Sequence, residues 1–268
     1  MSASLPCQRE AGLEWRVDNG VARLTLVAPA DANTIGYAQS KVWPAAFEAV
    51  VAARPRVIVL AAEGRLFCAG GAIQHMAANA DALGPYIAST LEPLHQGFIA
   101  LASAPCPLVS VVQGPIGGAG IGLALMADLV LASTTLKLRA GYPAIGLSPD
   151  LGASYFLIRR VGAARAQRWL LGNGIVTAEE CLAAGAVDEL HAPEALAAAA
   201  ERWVDYFRQA APASMAAIKQ LCRGSAPREL AQHIELEKQL LQSCAETADA
   251  REGVQAFLAK RSPHFQGR

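Results

Sequence analysis

The stretch GPIGGAGIGLALMADLVLAS, Gly114 to Ser133, carries five glycines and one acid, Asp128, inside a run that otherwise has the character of a core. A dinucleotide-binding turn needs glycines at offsets zero, two and five, and Gly117, Gly118, Gly120 and Gly122 never meet that spacing. No Lys-Ser or Lys-Thr pair follows, so a phosphate loop fails as well. What remains is a strand, LVSVVQG, a turn through Pro115, and a helix whose first turn is nearly bare around Gly118, Ala119 and Gly120. A bare helix start leaves backbone N–H groups open to a ligand. The same small residues also serve tight helix packing, and on this segment alone both readings stay open.

Outward from this stretch the chain alternates strands and helices. LEWRVDNGVARLTLV, Leu13 to Val27, alternates apolar and polar residues about Asp18-Asn19-Gly20 and predicts a hairpin. RVIVLAAE (Arg56 to Glu63) and PLVSVVQG (Pro107 to Gly114) predict strands covered on both faces. Helices are expected near 36–53, 83–103 and 115–126, a strand at 129–132, and a further helix starting near Asp150. From Thr177 the pattern turns helical: TAEECLAAGAVDEL reads as a capped helix, a glycine stop and a short strand, followed by four amphipathic helices. An α/β core over residues 1–200 and a helical region over 201–268 follow, with a soft boundary near Pro193 to Pro212.

Composition narrows the classes of function. The 268 residues are 53% hydrophobic and 17% charged, enough for a large core. Basic and acidic residues balance at 23 each, so no global field recruits nucleic acid or an anionic membrane. Six cysteines without a CxxC pair read as reduced thiols of a cytoplasmic protein, and the five histidines share no metal spacing. The opening MSASLPCQREAGLEW lacks the features of a signal peptide, and no apolar run is long enough to span a membrane.

RLFCAGGAIQHM, Arg65 to Met76, follows a strand and again offers small residues before a helix. Two such turns, each with a free N–H, can converge on one carbonyl oxygen and stabilise an oxyanion.

FCAGGAI, VVQGPIGGAGIGLALMADLVLAS, IGLSPDLGASYFLIRRVG, TAEECLAAGAVDEL and AREGVQAFLAKRSPHFQG, in this order, resemble the enoyl-CoA hydratase/isomerase (crotonase) family over nearly the whole chain. The resemblance implies a spiral of ββα units, a C-terminal helical trimerisation region forming trimers or paired trimers, and an acyl-CoA thioester as substrate. It requires no cofactor beyond the coenzyme A of the substrate, and no metal. By motif position the oxyanion-hole amides fall on Gly71 and Ala119, beside Gly118. Phe67 and Ala69 are expected to offer backbone contacts to adenine, and Phe257 and Lys260 to reach the nucleotide from an adjacent subunit. Ala28-Pro29 stands where relatives often carry a basic residue, which removes one phosphate contact.

Family hydratases split water with two glutamates, and those positions here hold Gly122 and Tyr142. The resemblance is nearest the isomerase branch, which includes the ring-opening epoxyphenylacetyl-CoA isomerases and in which an aspartate at the position of Asp150 shuttles the proton. Taken alone, Asp150 also reads as a helix N-cap after Pro149. Tyr142 can line the acyl pocket or simply pack, Asp128 is expected to cap or pair at a turn, and Glu63, Asp81 or Glu92 can supply a second acid. Competing readings are a hydratase-like enzyme, a dehalogenase-like use of Asp150 as nucleophile, and a non-catalytic binder of CoA esters.

Overall fold

The computed structural model describes residues 3–223 and 229–268. Strands β1 (Leu5–Glu10), β2 (Leu13–Asp18) and β3 (Val21–Leu26) lead into α1 (Tyr37–Ala52) and β4 (Val57–Ala62). Next come α2 (Ile73–Ala78), α3 (Leu83–Ala102), β5 (Leu108–Val112), β6 (Ile116–Gly117) and α4 (Ala119–Leu125). They are followed by β7 (Leu129–Ser133), β8 (Lys137–Arg139), α5 (Ala153–Val161), α6 (Ala163–Gly172), β9 (Val176–Thr177), α7 (Ala178–Ala184) and β10 (Glu189–His191). Helices α8 (Pro193–Gln209), α9 (Pro212–Arg223), α10 (Leu230–Ala245) and α11 (Ala248–Leu258) close the order. Among these described helices none is long and apolar enough to cross a membrane.

The strands form a seven-stranded sheet, β1-β2-β3-β4-β5-β7-β10, and a three-stranded sheet, β6-β8-β9. Asn19 and Gly20 both take positive φ, 49° and 77°, the geometry of the tight turn that the sequence predicts for the β2–β3 hairpin. From β3 onward the large sheet is parallel, and its inner strands β4 and β5 are mostly buried on both faces, in line with their Val- and Ile-rich sequences. No periodicity announces β1. Five of its six residues are exposed, and it pairs with β2 through its backbone as a polar edge strand.

One face of the sheet carries the main core, where Trp43 and Phe47 of α1, Leu94 and Phe98 of α3 and the whole of α4 are buried. The opposite face is covered by α8, whose Leu196 and Val204 pack with Val57, Val59 and Val109. A division at residue 200 therefore splits a packed helix. Helix α8 ends at Gln209 and α9 starts at Pro212. Asp128, in the turn before β7, accepts the Leu108 N–H at 2.8 Å and pairs with Lys219 at 2.5 Å and Arg223 at 2.9 Å. This is the pairing role the sequence suggests for it, and it fastens α9 to the sheet. Thr177 and Glu180 form the expected capping box of α7, and Gly185 closes that helix at φ 79°.

The glycines of α4 set its depth. A Cβ on Gly120 would lie 2.5 Å from the Cys68 carbonyl oxygen, and one on Gly122 would lie 2.0 Å from that of Leu151. Backbone there occupies the space a side chain would need. We expect Gly122→Ala to cost about 1–3 kcal/mol by urea unfolding, since the Leu151 segment must move. Gly172→Ala, whose added methyl meets open space, should stay within about 0.5 kcal/mol of the parent.

Candidate active site

Two turns build the floor of the site. In the first, after β4, Ala69 N–H donates to Ala32 O at 3.0 Å, Ile35 N–H to Gly70 O at 2.8 Å and Ala72 N–H to Ile35 O at 2.9 Å. In the second, Gly118 N–H donates to Ala140 O at 3.1 Å and Gly118 itself takes φ 49°, ψ −130° before α4 begins. The turns meet backbone to backbone: a Cβ on Gly70 would stand 2.8 Å from Gly117 O and 3.2 Å from Ala119 N. These bonds engage the neighbours of Gly71 and Ala119 while the amides of those two residues donate to no acceptor among the described residues. Two free N–H groups on adjoining turns can hold one oxygen on which negative charge grows.

Ala69, Gly71, Gly118, Ala119, Tyr142 and Asp150 all line one cavity of about 460 Å³, a size usual for small-molecule sites. Three other expected contacts lie elsewhere. Phe67 has 0% exposure, so neither its ring nor its backbone has surface to offer a ligand; its N–H is spent on Pro115 O at 3.1 Å. Phe257, 84% exposed on α11, and Lys260, just beyond that helix, do not line the cavity of their own chain. Much of the wall comes from apolar residues of α2 and α3, including Met76, Ile87 and Leu91, together with Ile145 and Leu147. The α3 contributors after Tyr86 carry only the general mark of an amphipathic helix.

Asp150 does not cap α5. That helix starts after Gly152, and only the Asp150 main-chain oxygen takes part, accepting Ala153 N–H at 2.9 Å. Its carboxylate instead accepts the Tyr142 hydroxyl through Oδ1 at 2.7 Å, and its own N–H donates back to Tyr142 Oη at 3.3 Å. Oδ2 has no partner among the described residues. Burial lifts the Asp150 carboxyl above the ordinary carboxylate range, against the opposing pull of the Tyr142 hydrogen bond. Burial, with the Asp150 charge, pushes the Tyr142 hydroxyl far up, so it remains a donor.

Other reactive groups are set aside by position. Burial raises the Cys68 thiol to about 12, which leaves it a thiol and not a nucleophile. Glu63, Asp81 and Glu92 are exposed and line no part of the cavity. Asp150 is the one carboxyl among the described lining residues.

This fold and cavity define a crotonase-type α/β spiral. The family model for enoyl-CoA hydratase/isomerase matches residues 16–268. A Rhodobacter capsulatus protein named "Probable enoyl-CoA hydratase" is 34% identical, over 96% of this chain and 98% of its own. The 1,2-epoxyphenylacetyl-CoA isomerase of Escherichia coli is 31% identical, over 80% of this chain and 82% of its own. The crystal structure of an enoyl-CoA hydratase/isomerase from Cupriavidus metallidurans is similar at a TM-score of 0.87 and 30% identity, covering 97% of this chain and 98% of that one. The chain belongs to the enoyl-CoA hydratase/isomerase family.

The raised carboxyl has a consequence for stability. With its folded-state pKa above the unfolded value, Asp150 holds its proton longer in the fold, and stability falls as pH rises through the interval between the two. Asp150→Asn keeps an acceptor for Tyr142 and removes the buried charge. We expect it to raise Tm at pH 7 by about 2–4 °C, a gain that shrinks as pH is lowered toward 4, read by thermal denaturation.

Proposed function

We propose that the protein is an acyl-CoA isomerase that shifts a double bond, or opens a ring epoxide, with Asp150 as its proton carrier. The observation that carries this reading is a single carboxyl with a free oxygen in the same cavity as two unpaired amides. The thioester oxygen accepts from Gly71 N–H and Ala119 N–H. Asp150 Oδ2 takes the proton from the carbon next to the thioester, and the electron pair moves onto the carbonyl oxygen as an enolate conjugated with the β,γ double bond. The same carboxyl returns its proton to the γ carbon, which regenerates the carbonyl and leaves the double bond conjugated. Each oxyanion donor is worth about 3 kcal/mol of barrier, and a carboxyl lifted toward neutrality is better matched to taking and returning a proton.

Hydration asks for a second acid or base to activate and split water. The space a side chain at position 122 would need is filled by the Leu151 backbone, and Tyr142 commits its hydroxyl hydrogen bond to Asp150, so neither site of the family's glutamates supplies one. The name of the Escherichia coli relative supports the isomerase reading, and that of the Rhodobacter relative points to hydration.

Incubation with a β,γ-enoyl-CoA should yield the conjugated ester, followed by its absorbance, and Asp150→Asn should lower the rate by about 10²- to 10⁴-fold. An undiminished rate in that variant, or hydration of the conjugated ester faster than isomerisation, refutes the assignment. Assembly forms part of the same reading. Leu230, Leu241, Phe257 and Leu258 are each at least 72% exposed, an apolar surface suited to a neighbouring subunit. Sedimentation should give a trimer or a pair of trimers.

A further inference from the structure

The wall of the cavity also bears on the acyl group, given the reading of the site as an acyl-CoA pocket. Ile73, Met76, Ile87, Leu91, Ile145 and Leu147 present hydrocarbon, and Tyr86 adds its ring and a buried hydroxyl without a partner among the described residues. The Thr90 hydroxyl on the same wall is turned to the Tyr86 carbonyl at 2.9 Å. Only two of the described lining residues carry charge, Arg139 and Asp150. Arg139 comes from β8, and its guanidinium donates through Nε to Asn173 O at 3.3 Å on the α6–β9 connection; no cation lines the cavity from α2 or α3 among the described residues. The other is itself a carboxylate. The basic residues His95, Arg159 and Arg223 line a separate cavity of about 420 Å³ that shares Leu151, 4% exposed, with the first.

We infer that the acyl group this cavity takes is uncharged, a hydrocarbon or aryl thioester, and that acyl groups ending in a carboxylate are turned away. An ω-carboxylate on the α2 and α3 wall loses its water with no cation among the described lining residues of those helices to replace it, and the buried Tyr86 hydroxyl is the one unpaired donor there. It also enters a chamber that already holds the Asp150 carboxyl, and two carboxylates in one chamber disfavour each other's ionised form. A methyl or aryl end meets neither cost and buries apolar surface.

Titration calorimetry with two saturated six-carbon esters, hexanoyl-CoA and adipoyl-CoA, tests this without turnover. The expected Kd for adipoyl-CoA is at least about 100-fold weaker, and the corresponding β,γ-enoyl esters should differ by at least that factor in kcat/KM. Leu91→Lys, which puts an ammonium on the wall, should narrow the gap in Kd at least about tenfold. Equal affinity for the two esters overturns the inference while leaving the isomerase reading intact, and places the carboxylate with His95, Arg159 and Arg223 beyond Leu151. Binding of neither ester overturns the assignment of the cavity and the inference with it. Binding with the expected discrimination but no isomerisation leaves the inference standing and refutes the reaction alone.

Discussion

Main chain lying directly on main chain is the constraint from which the site follows. At Gly70 against Gly117 and Ala119, at Gly120 against Cys68, and at Gly122 against Leu151, the space that a β-carbon would fill is taken by backbone atoms. Hydrophobic burial alone does not specify such contacts, because apolar side chains would hold the segments several ångströms further apart. Removing the side chains brings two turns and the start of α4 into one compact floor. Its hydrogen bonds are spent on fixing the residues on either side of Gly71 and Ala119. Rigidity and unsatisfied donors thus come from the same packing, and preorganised donors need no rearrangement when charge appears.

The parts of this arrangement legible in the sequence are those that leave a side-chain signature. Val57–Ala62 and Leu108–Val112 declare themselves by apolar runs, the hairpin by Asn19-Gly20, and α7 by Thr177 and Glu180. Strand β1 leaves none, because Cys7, Gln8, Arg9 and Glu10 face solvent and only backbone pairing holds them. The strands of the small sheet are two or three residues long, too short for any period to show.

The site was legible to a similar degree. Glycine spacing excluded the phosphate readings and left two alternatives, free amides and tight helix packing. Asp150 was ambiguous between cap and reactive group, since a carboxylate at a helix start serves both roles equally well in one dimension. The fold separates them by letting Gly152 begin the helix and turning the carboxylate to Tyr142, eight residues back along the chain. That contact spans a loop and has no periodic trace. Phe67 belonged to a motif whose neighbours Ala69 and Gly71 do line the cavity, yet its own ring is fully buried in the core. Phe257, 84% exposed, and Lys260 lie off the cavity of their own chain, and the resemblance alone had brought them to the nucleotide.

Gly122 ties the choice of chemistry to the packing. The position where a hydratase carries a carboxylate on α4 is here pressed against the carbonyl of Leu151, the residue after Asp150. A glutamate at 122 and an Asp150 loop seated this close are mutually exclusive, because one needs the volume that the other fills. Tyr142, at the second glutamate position, spends its hydroxyl on holding the same aspartate. The two departures from the hydratase pattern are therefore not independent losses. Both lie against the Asp150 segment, and Asp150 is the one carboxyl among the described residues that line the cavity. Restoring either glutamate alone would displace or release the aspartate before it could assemble a pair.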